Sequence, residues 1–146
     1  AVRQIFKDFS IKQKNLYGLR EKFVDGLSQL EGVKVNGFAH RTEGEETYHG
    51  AAPHVISVSF DNIRAEVLLH ALEERGIYVS SGSACSSNHP AISGTLKAIG
   101  VEKKYLDATI RFSLCYDTTE EDILTCLEVL KALLPMLRRF TRGGRR

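Results

Sequence analysis

The chain has 146 residues, a length typical of a single domain that buries roughly 68–70% of the surface exposed when it is unfolded. Hydrophobic residues make up 42% and charged residues 26% of the sequence, as in an ordinary globular protein, and a net charge of +2 is too small to predict binding to nucleic acid. No apolar run approaches the ~20 residues of a transmembrane helix, and the N-terminal residues show no signal-peptide pattern. We therefore expect one domain, residues 1–146, with neither a membrane nor a nucleic acid as partner.

The three cysteines, Cys85, Cys115 and Cys126, form no CxxC pair and no metal-ligand spacing with the five histidines. An odd number of cysteines without a secretion signal favours free thiols in a reducing compartment. The sequence therefore predicts a cytoplasmic protein without a metal site.

The first predicted element is a helix over about residues 1–30. Its apolar residues recur near the 3.6-residue period at Leu16, Phe23, Leu27 and Leu30. The chain starts without an initiator methionine or a helix cap, which suggests an interdomain helix cut from a longer protein. Gly32 is expected to end it, with a short strand over 33–36 and an exposed polar loop over 38–53 following.

The central part of the chain predicts a strand, a helix and a second strand. Residues 54–60 alternate, so that Ile56, Val58 and Phe60 share one face. Asp61 or Asn62 is expected to cap a helix that ends at Gly76 and buries Ala65, Leu68, Leu69 and Leu72. Residues 77–79 are β-branched or aromatic and predict the next strand.

The C-terminal part predicts a short helix over 92–99, a strand over 109–115 and a long final helix. In the strand, Ile110, Phe112 and Leu114 face the core while Arg111, Ser113 and Cys115 face away. Thr118 and Glu121 have capping-box spacing before a helical seam formed by Ile123, Leu127, Leu130, Leu134 and Leu137. Pro135 should kink this helix, and residues 141–146 look like a disordered tail.

These elements predict an α+β or α/β fold, a small antiparallel or mixed sheet covered by helices.

The candidate nucleophile is Cys85, which lies in a serine- and glycine-rich stretch over residues 80–90. A thiol used for packing usually has apolar neighbours, whereas Cys85 is flanked by Ala84 and Ser86 on an expected surface loop. That is where a reacting sulfur would be placed, although a glycine–serine turn that happens to contain a cysteine has the same pattern. His89, four residues later, could lower the pKa of the thiol or carry a proton, or be an ordinary solvated side chain.

Arg111 is the second candidate, because its planar fork suits a carboxylate and it lies in mid-strand on the face away from the core. The alternative is an exposed face on which Arg111 meets solvent or pairs with an acid. The arginines at the C-terminal end could touch an acidic protein or nucleic acid, but a solvated tail is the default interpretation.

The sequences Ser80-Ser81-Gly82-Ser83-Ala84-Cys85-Ser86-Ser87 and Ile110-Arg111-Phe112-Ser113-Leu114, followed by Thr118-Thr119-Glu120-Glu121-Asp122, resemble the C-terminal part of the cysteine desulfurases. These are pyridoxal-phosphate enzymes of the class V aminotransferase type. The resemblance extends to residues 35–37 and 56–60, and so over nearly the whole chain, and the serine-rich loop is its specific part.

The resemblance implies the C-terminal small domain of a fold-type I pyridoxal-phosphate enzyme. Cys85 matches the nucleophile that takes sulfur from L-cysteine, releasing L-alanine and leaving a persulfide, and Arg111 matches the arginine that holds the substrate carboxylate. The persulfide would serve a sulfur-acceptor or scaffold protein, as in iron–sulfur cluster assembly, and the full-length enzyme would be a homodimer.

Two features depart from the family pattern. The cofactor lysine, the aspartate under the pyridine nitrogen and the phosphate-binding motif do not occur in this sequence, which implies a fragment unable to hold its cofactor alone. Cys115 stands where the family commonly has glycine. Two alternatives remain: another class V transaminase or lyase in which Cys85 is incidental, and a non-enzymatic thiol-carrying interaction module.

Overall fold

The computed structural model describes residues 8–37, 52–81 and 94–143. The elements in chain order are α1 (Phe9–Ser28), β1 (Val33–Val35), β2 (Val55–Phe60), α2 (Ala65–Glu73), β3 (Ser80–Ser81), α3 (Gly94–Ala98), a 3-10 helix (Lys103–Tyr105), β4 (Thr109–Ser113) and α4 (Glu120–Gly143). The strands form one sheet in the order β1-β2-β4-β3, and every neighbouring pair is antiparallel. The predicted α+β fold with a small antiparallel sheet flanked by helices is confirmed.

The core lies between one face of this sheet and the helices. Ile56 is the register partner of Phe112 and Val58 that of Ile110, so the apolar side chains of β2 and β4 lie side by side as their alternation predicts. The Phe23 ring of α1 meets Phe112 edge to face, with the ring centroids 5.1 Å apart. The helices add buried residues from α1, α2 and α4, namely Leu16, Val24, Leu27, Leu68, Leu72, Ile123, Leu130, Leu133 and Leu134.

The opposite face of the sheet is polar, and part of it is nevertheless buried. Asn36 donates from Nδ2 to Ser59 Oγ at 2.8 Å, and the Ser59 and Thr109 hydroxyls are 2.7 Å apart. Thr109 Oγ1 in turn donates to the carbonyl oxygen of Tyr105 at 2.7 Å. Because these buried polar groups hydrogen-bond one another, they join β1, β2 and β4 without the cost of an unpaired polar group.

The helix α2 starts differently from its prediction. Neither Asp61 nor Asn62 caps it: the residue before the helix is Arg64, which makes no side-chain capping hydrogen bond. Asn62 has φ 59°, and the backbone N–H of Ala65 donates to the carbonyl of Asp107 at 2.8 Å. A contact distant in sequence thus satisfies the helix start, which no local pattern could indicate.

The capping box of α4 lies one residue later than predicted. Thr119 and Asp122 form it, with the Asp122 carboxylate accepting from the Thr119 backbone N–H at 2.8 Å and Asp122 N–H donating to Thr119 Oγ1 at 3.2 Å. Thr118, the predicted cap, instead accepts a hydrogen bond from the backbone N–H of Cys115 at 2.9 Å.

Three further boundaries differ from the predictions. Residues 77–79 are not a strand, and pairing with β4 begins at Ser80. The short helix is Gly94–Ala98, with residues 92–93 outside the described residues. The final helix runs through Pro135 to Gly143, so it includes the first three residues of the expected tail.

None of the helices in the described ranges is long and apolar enough to cross a membrane. The predicted loop over 38–53 is described only at its end, residues 52–53.

Candidate functional site

The candidate site centres on Arg111, in the middle of β4 and on the polar face of the sheet. Its register partners are Ser57 of β2 on one side and Ser80 of β3 on the other. The side chain is exposed, and its Nη2 donates to Ser80 Oγ at 3.2 Å. Strand alternation places Arg111 there because Ile110 and Phe112 are held in the core.

Arg111 makes no ion pair with any residue in the described ranges 8–37, 52–81 and 94–143. The ion pairs found there involve other side chains, such as Lys22 with Glu120 at 2.6 Å and Lys34 with Glu102 at 3.6 Å. The pairing with an acid that the sequence left open is therefore not found among these residues. Among the described residues the guanidinium hydrogen-bonds only to Ser80, and its planar fork suits a carboxylate or a similar anion.

The other two predicted site residues, Cys85 and His89, lie outside the described residues, in the interval 82–93. That interval begins directly after Ser81, the last residue of β3. Since Ser80 is the register partner of Arg111, the described part of the chain before this interval ends beside the arginine.

The structure describes two further thiols, with opposite chemistry. A side-chain hydrogen bond with Thr118, whose Oγ1 lies 3.5 Å from the sulfur, lowers the pKa of the exposed Cys115 thiol, and a backbone hydrogen bond at Asp117 adds to this. Burial in the core raises the pKa of Cys126 to about 12. No cluster of histidine, cysteine and acidic side chains suited to a metal ion occurs in the described part of the chain.

The lysines offer no site for pyridoxal phosphate among the described residues. A lysine that binds this cofactor covalently needs desolvated surroundings that favour its neutral amine. All the described lysines are exposed, namely Lys12, Lys14, Lys22, Lys34, Lys97, Lys103, Lys104 and Lys131. These residues therefore do not fit the cofactor.

Two contacts do not follow from the sequence patterns. The sequence places Ser80 in the expected surface loop, whereas it is a strand residue that hydrogen-bonds to Arg111. Arg20 is buried on the apolar side of α1, where its Nη1 donates to the carbonyls of Val55 at 2.6 Å and Ala52 at 3.2 Å. Arg20 lies four residues after Leu16, and this helical spacing is the feature of the sequence that indicates its place on the buried face.

Comparison with known proteins places this arrangement in context. The family model described as aminotransferase class-V matches residues 6–125. The cysteine desulfurases IscS of Escherichia coli and Shigella boydii are each 34% identical to the chain over 138 residues. The match covers 94% of this chain and 31% of theirs, so the chain spans about a third of the length of these relatives.

Solved structures agree with the sequence comparison. A NifS-like protein superposes with a TM-score of 0.69 and 30% identity, covering 90% of this chain and 30% of its own. A NifS-like protein from Rickettsia africae has a TM-score of 0.64 at 19% identity, covering 88% of this chain and 30% of its own, which shows the fold alone. The resemblance drawn from the serine-rich loop and the Arg111 strand is thus confirmed at the level of the family.

Proposed function

Because the chain belongs to the class V aminotransferase family, we propose that it is the substrate-side, C-terminal part of a cysteine desulfurase. The whole protein would remove sulfur from L-cysteine and release L-alanine. The similarity to IscS over 94% of the chain supports a desulfurase more than a transaminase or another lyase of the family.

The observation that carries the proposal is the exposed Arg111 on a polar sheet face. Its fork is held at one nitrogen by Ser80, and it makes no ion pair with any residue described in this chain. A planar guanidinium in this setting binds a carboxylate through two parallel hydrogen bonds. We assign Arg111 to the carboxylate of L-cysteine.

Cys85 is the proposed nucleophile. Covalent geometry alone keeps its Cα within about 14 Å of the Cα of Ser81, and hence within about 23 Å of the Cα of Arg111. We propose that the thiol attacks a substrate bound at Arg111 and then passes the sulfur to an acceptor, and this upper limit is compatible with the first step. Its thiolate forms an S–S bond to the substrate sulfur, the C–S bond of the substrate breaks, and the released carbon takes a proton to give L-alanine. His89, in the same segment, is proposed to favour the thiolate or carry a proton.

Further components belong to the whole protein in this proposal. Pyridoxal phosphate would be held by residues beyond this chain, since the described lysines are exposed. The partners would be a sulfur-acceptor or scaffold protein, as in iron–sulfur cluster assembly, and a second copy of the enzyme. The odd number of cysteines favours free thiols in a reducing compartment, so we propose a cytoplasmic location.

The test compares substitutions in the whole protein supplied with pyridoxal phosphate. Cys85→Ser should abolish the persulfide, detected by alkylation and peptide mass, while L-cysteine still binds. Arg111→Ala should weaken L-cysteine binding by about 10- to 150-fold, the effect of losing a contact of about 1.5–3 kcal/mol. Arg111→Lys should restore only part of the lost affinity for L-cysteine, because an ammonium group cannot reproduce the two-pronged guanidinium.

Matched controls are Cys115→Ser, which removes another exposed thiol, and Arg75→Ala, which removes another exposed arginine. Both should leave sulfur transfer and L-cysteine affinity unchanged. Full sulfur transfer by Cys85→Ser would favour a class V enzyme in which this cysteine is incidental. Absence of any alanine release by the unaltered whole protein would favour a non-enzymatic thiol carrier.

A further inference from the structure

Ser80 and Arg111 meet on directly opposed strand positions. They are register partners in the β3–β4 ladder, so their side chains leave the same face of the sheet. Arg111 Nη2 donates to Ser80 Oγ at 3.2 Å, and Ser80 is half-buried where Arg111 is exposed. The serine is thus the more fixed member of the pair, and the arginine the one that it restrains.

The neighbour on the other side of Arg111 does not provide the same contact. Ser57, the register partner in β2, has its hydroxyl accepting from Asn36 Nδ2 at 3.2 Å, as part of the polar network that joins β1 to β2. Of the two serines beside the arginine, only Ser80 accepts a hydrogen bond from the guanidinium. Among the described residues, the guanidinium is therefore held by a hydrogen bond on its β3 side and by none on its β2 side.

We propose that Ser80 is a positioning residue that holds the plane of the Arg111 guanidinium ready for the substrate carboxylate. The inference rests on the proposed function, since it needs Arg111 to bind a carboxylate. An exposed arginine samples many rotamers, and an anion that binds it must fix them at a cost in entropy. The hydrogen bond from Ser80 removes part of that cost before the substrate arrives.

The experiment uses the whole protein with pyridoxal phosphate and compares one substitution that removes the Ser80 hydroxyl with one that keeps a hydroxyl. Ser80→Ala should raise KM for L-cysteine by about 3- to 10-fold and change kcat by less than about 2-fold, because binding and not sulfur transfer loses support. Ser80→Thr should retain the unaltered KM, since threonine keeps the hydroxyl and suits a strand. Ser113→Ala, which removes an exposed serine two residues from Arg111 on the same face, is the matched control and should change neither constant.

A second readout avoids turnover altogether. L-alanine carries the same carboxylate but no sulfur to transfer, and Ser80→Ala should raise its dissociation constant by the same factor as KM. In the Arg111→Ala background, Ser80→Ala should have no further effect on either quantity, because the group that it positions is gone.

The outcomes separate this inference from the proposed function. If Arg111→Ala leaves L-cysteine and L-alanine binding unchanged, the assignment of Arg111 to the carboxylate is wrong. If Arg111→Ala weakens both but Ser80→Ala weakens neither, Arg111 keeps its role and the positioning role of Ser80 is wrong. Equal losses from Ser80→Ala with and without Arg111 would also overturn the positioning role, because they would indicate a general loss of fold.

Discussion

At the scale of single residues, Cys115 and Cys126 show how the surroundings of a thiol set its chemistry. Cys115 is exposed two residues beyond β4, and its hydrogen bond with Thr118 stabilises the thiolate and lowers the pKa of the thiol. Cys126 lies among apolar side chains of α4 and the core, where burial penalises the charged form and raises its pKa to about 12. Both cysteines lie near the same helix start, yet only Cys115 is suited to react.

We predict that an alkylating reagent distinguishes these thiols in the 146-residue chain carrying Cys85→Ser. Near neutral pH Cys115 should react first, because reaction rate follows the thiolate fraction and exposure, and Cys126 should react only after unfolding. Thr118→Val should slow alkylation of Cys115 near neutral pH, because the pKa of the Cys115 thiol then rises towards the ordinary value. In strong alkali, Cys115 should be alkylated at the same rate with and without Thr118→Val. Peptide mass measurement over a pH series tests this.

The control for this prediction is Thr125→Val, an exposed threonine of α4 outside the contact. It should leave the pH profile of Cys115 unchanged. Rapid alkylation of Cys126 in the folded chain would contradict the buried setting. An unchanged profile in Thr118→Val would mean that the threonine does not stabilise the thiolate.

At the scale of elements, α1 and α4 pack side by side and run in the same direction. Lys22 pairs with Glu120, and further along Gly26 meets Leu127. A Cβ built on Gly26 would overlap Leu127 Cδ1 and lie 2.9 Å from Cδ2, so the missing side chain allows this close approach. Gly18, on the same helix, has no heavy atom within 4 Å of its Cβ position.

We predict opposite effects of alanine at these two glycines. Gly18→Ala should raise the free energy of unfolding by about 0.5–1 kcal/mol, because alanine favours the helix. Gly26→Ala gains the same propensity but forces Leu127 aside, so it should lower the free energy of unfolding by about 0.5–2 kcal/mol. Urea unfolding of the 146-residue chain measures both.

The double variant Gly26→Ala with Leu127→Ala tests the cause of the effect. If the clash with Leu127 destabilises Gly26→Ala, the two substitutions should cost less together than the sum of their separate costs. Additive losses, or a Gly26→Ala chain as stable as Gly18→Ala, would contradict the close approach of the two helices.

At the scale of the whole molecule, the described chain carries only some of the groups that the proposed reaction needs. The arginine proposed to bind the carboxylate lies on its sheet and the proposed nucleophile in its sequence, while its described lysines are exposed and unsuited to the cofactor. The chain spans 31% of the length of the IscS relatives. We therefore expect the 146 residues to bind substrate groups only as part of a larger protein.

We predict that residues 1–146 alone form no specific pyridoxal-phosphate adduct and release no alanine from L-cysteine. The physical reason is that the described lysines are all exposed, so no desolvated pocket selects one of them for the cofactor. Borohydride reduction followed by peptide mass measurement tests this, with the whole protein as the control that should give one stoichiometric lysine adduct. A stoichiometric adduct at one lysine of the fragment, with alanine release, would contradict the prediction.

Much of this fold follows from local patterns in the sequence. The period-two alternation in β2 and β4 identified the core residues Ile56, Val58, Ile110 and Phe112, because a strand with one apolar face has little choice of orientation. The same alternation placed Arg111 on the polar face. The serine-rich loop and the Arg111 strand identified the family, which the comparisons confirm.

Tertiary structure decided what depends on residues distant in sequence. The start of α2 is satisfied by the carbonyl of Asp107, so its predicted local caps were wrong. Ser80 became a strand residue because β4 lay beside it, although serines alone predict a loop. Ser59 alternates as an outward-facing residue but is buried, and its hydroxyl hydrogen-bonds with Asn36 and Thr109. Each of these outcomes depends on a partner that folding brings close, and a local pattern carries no information about that partner.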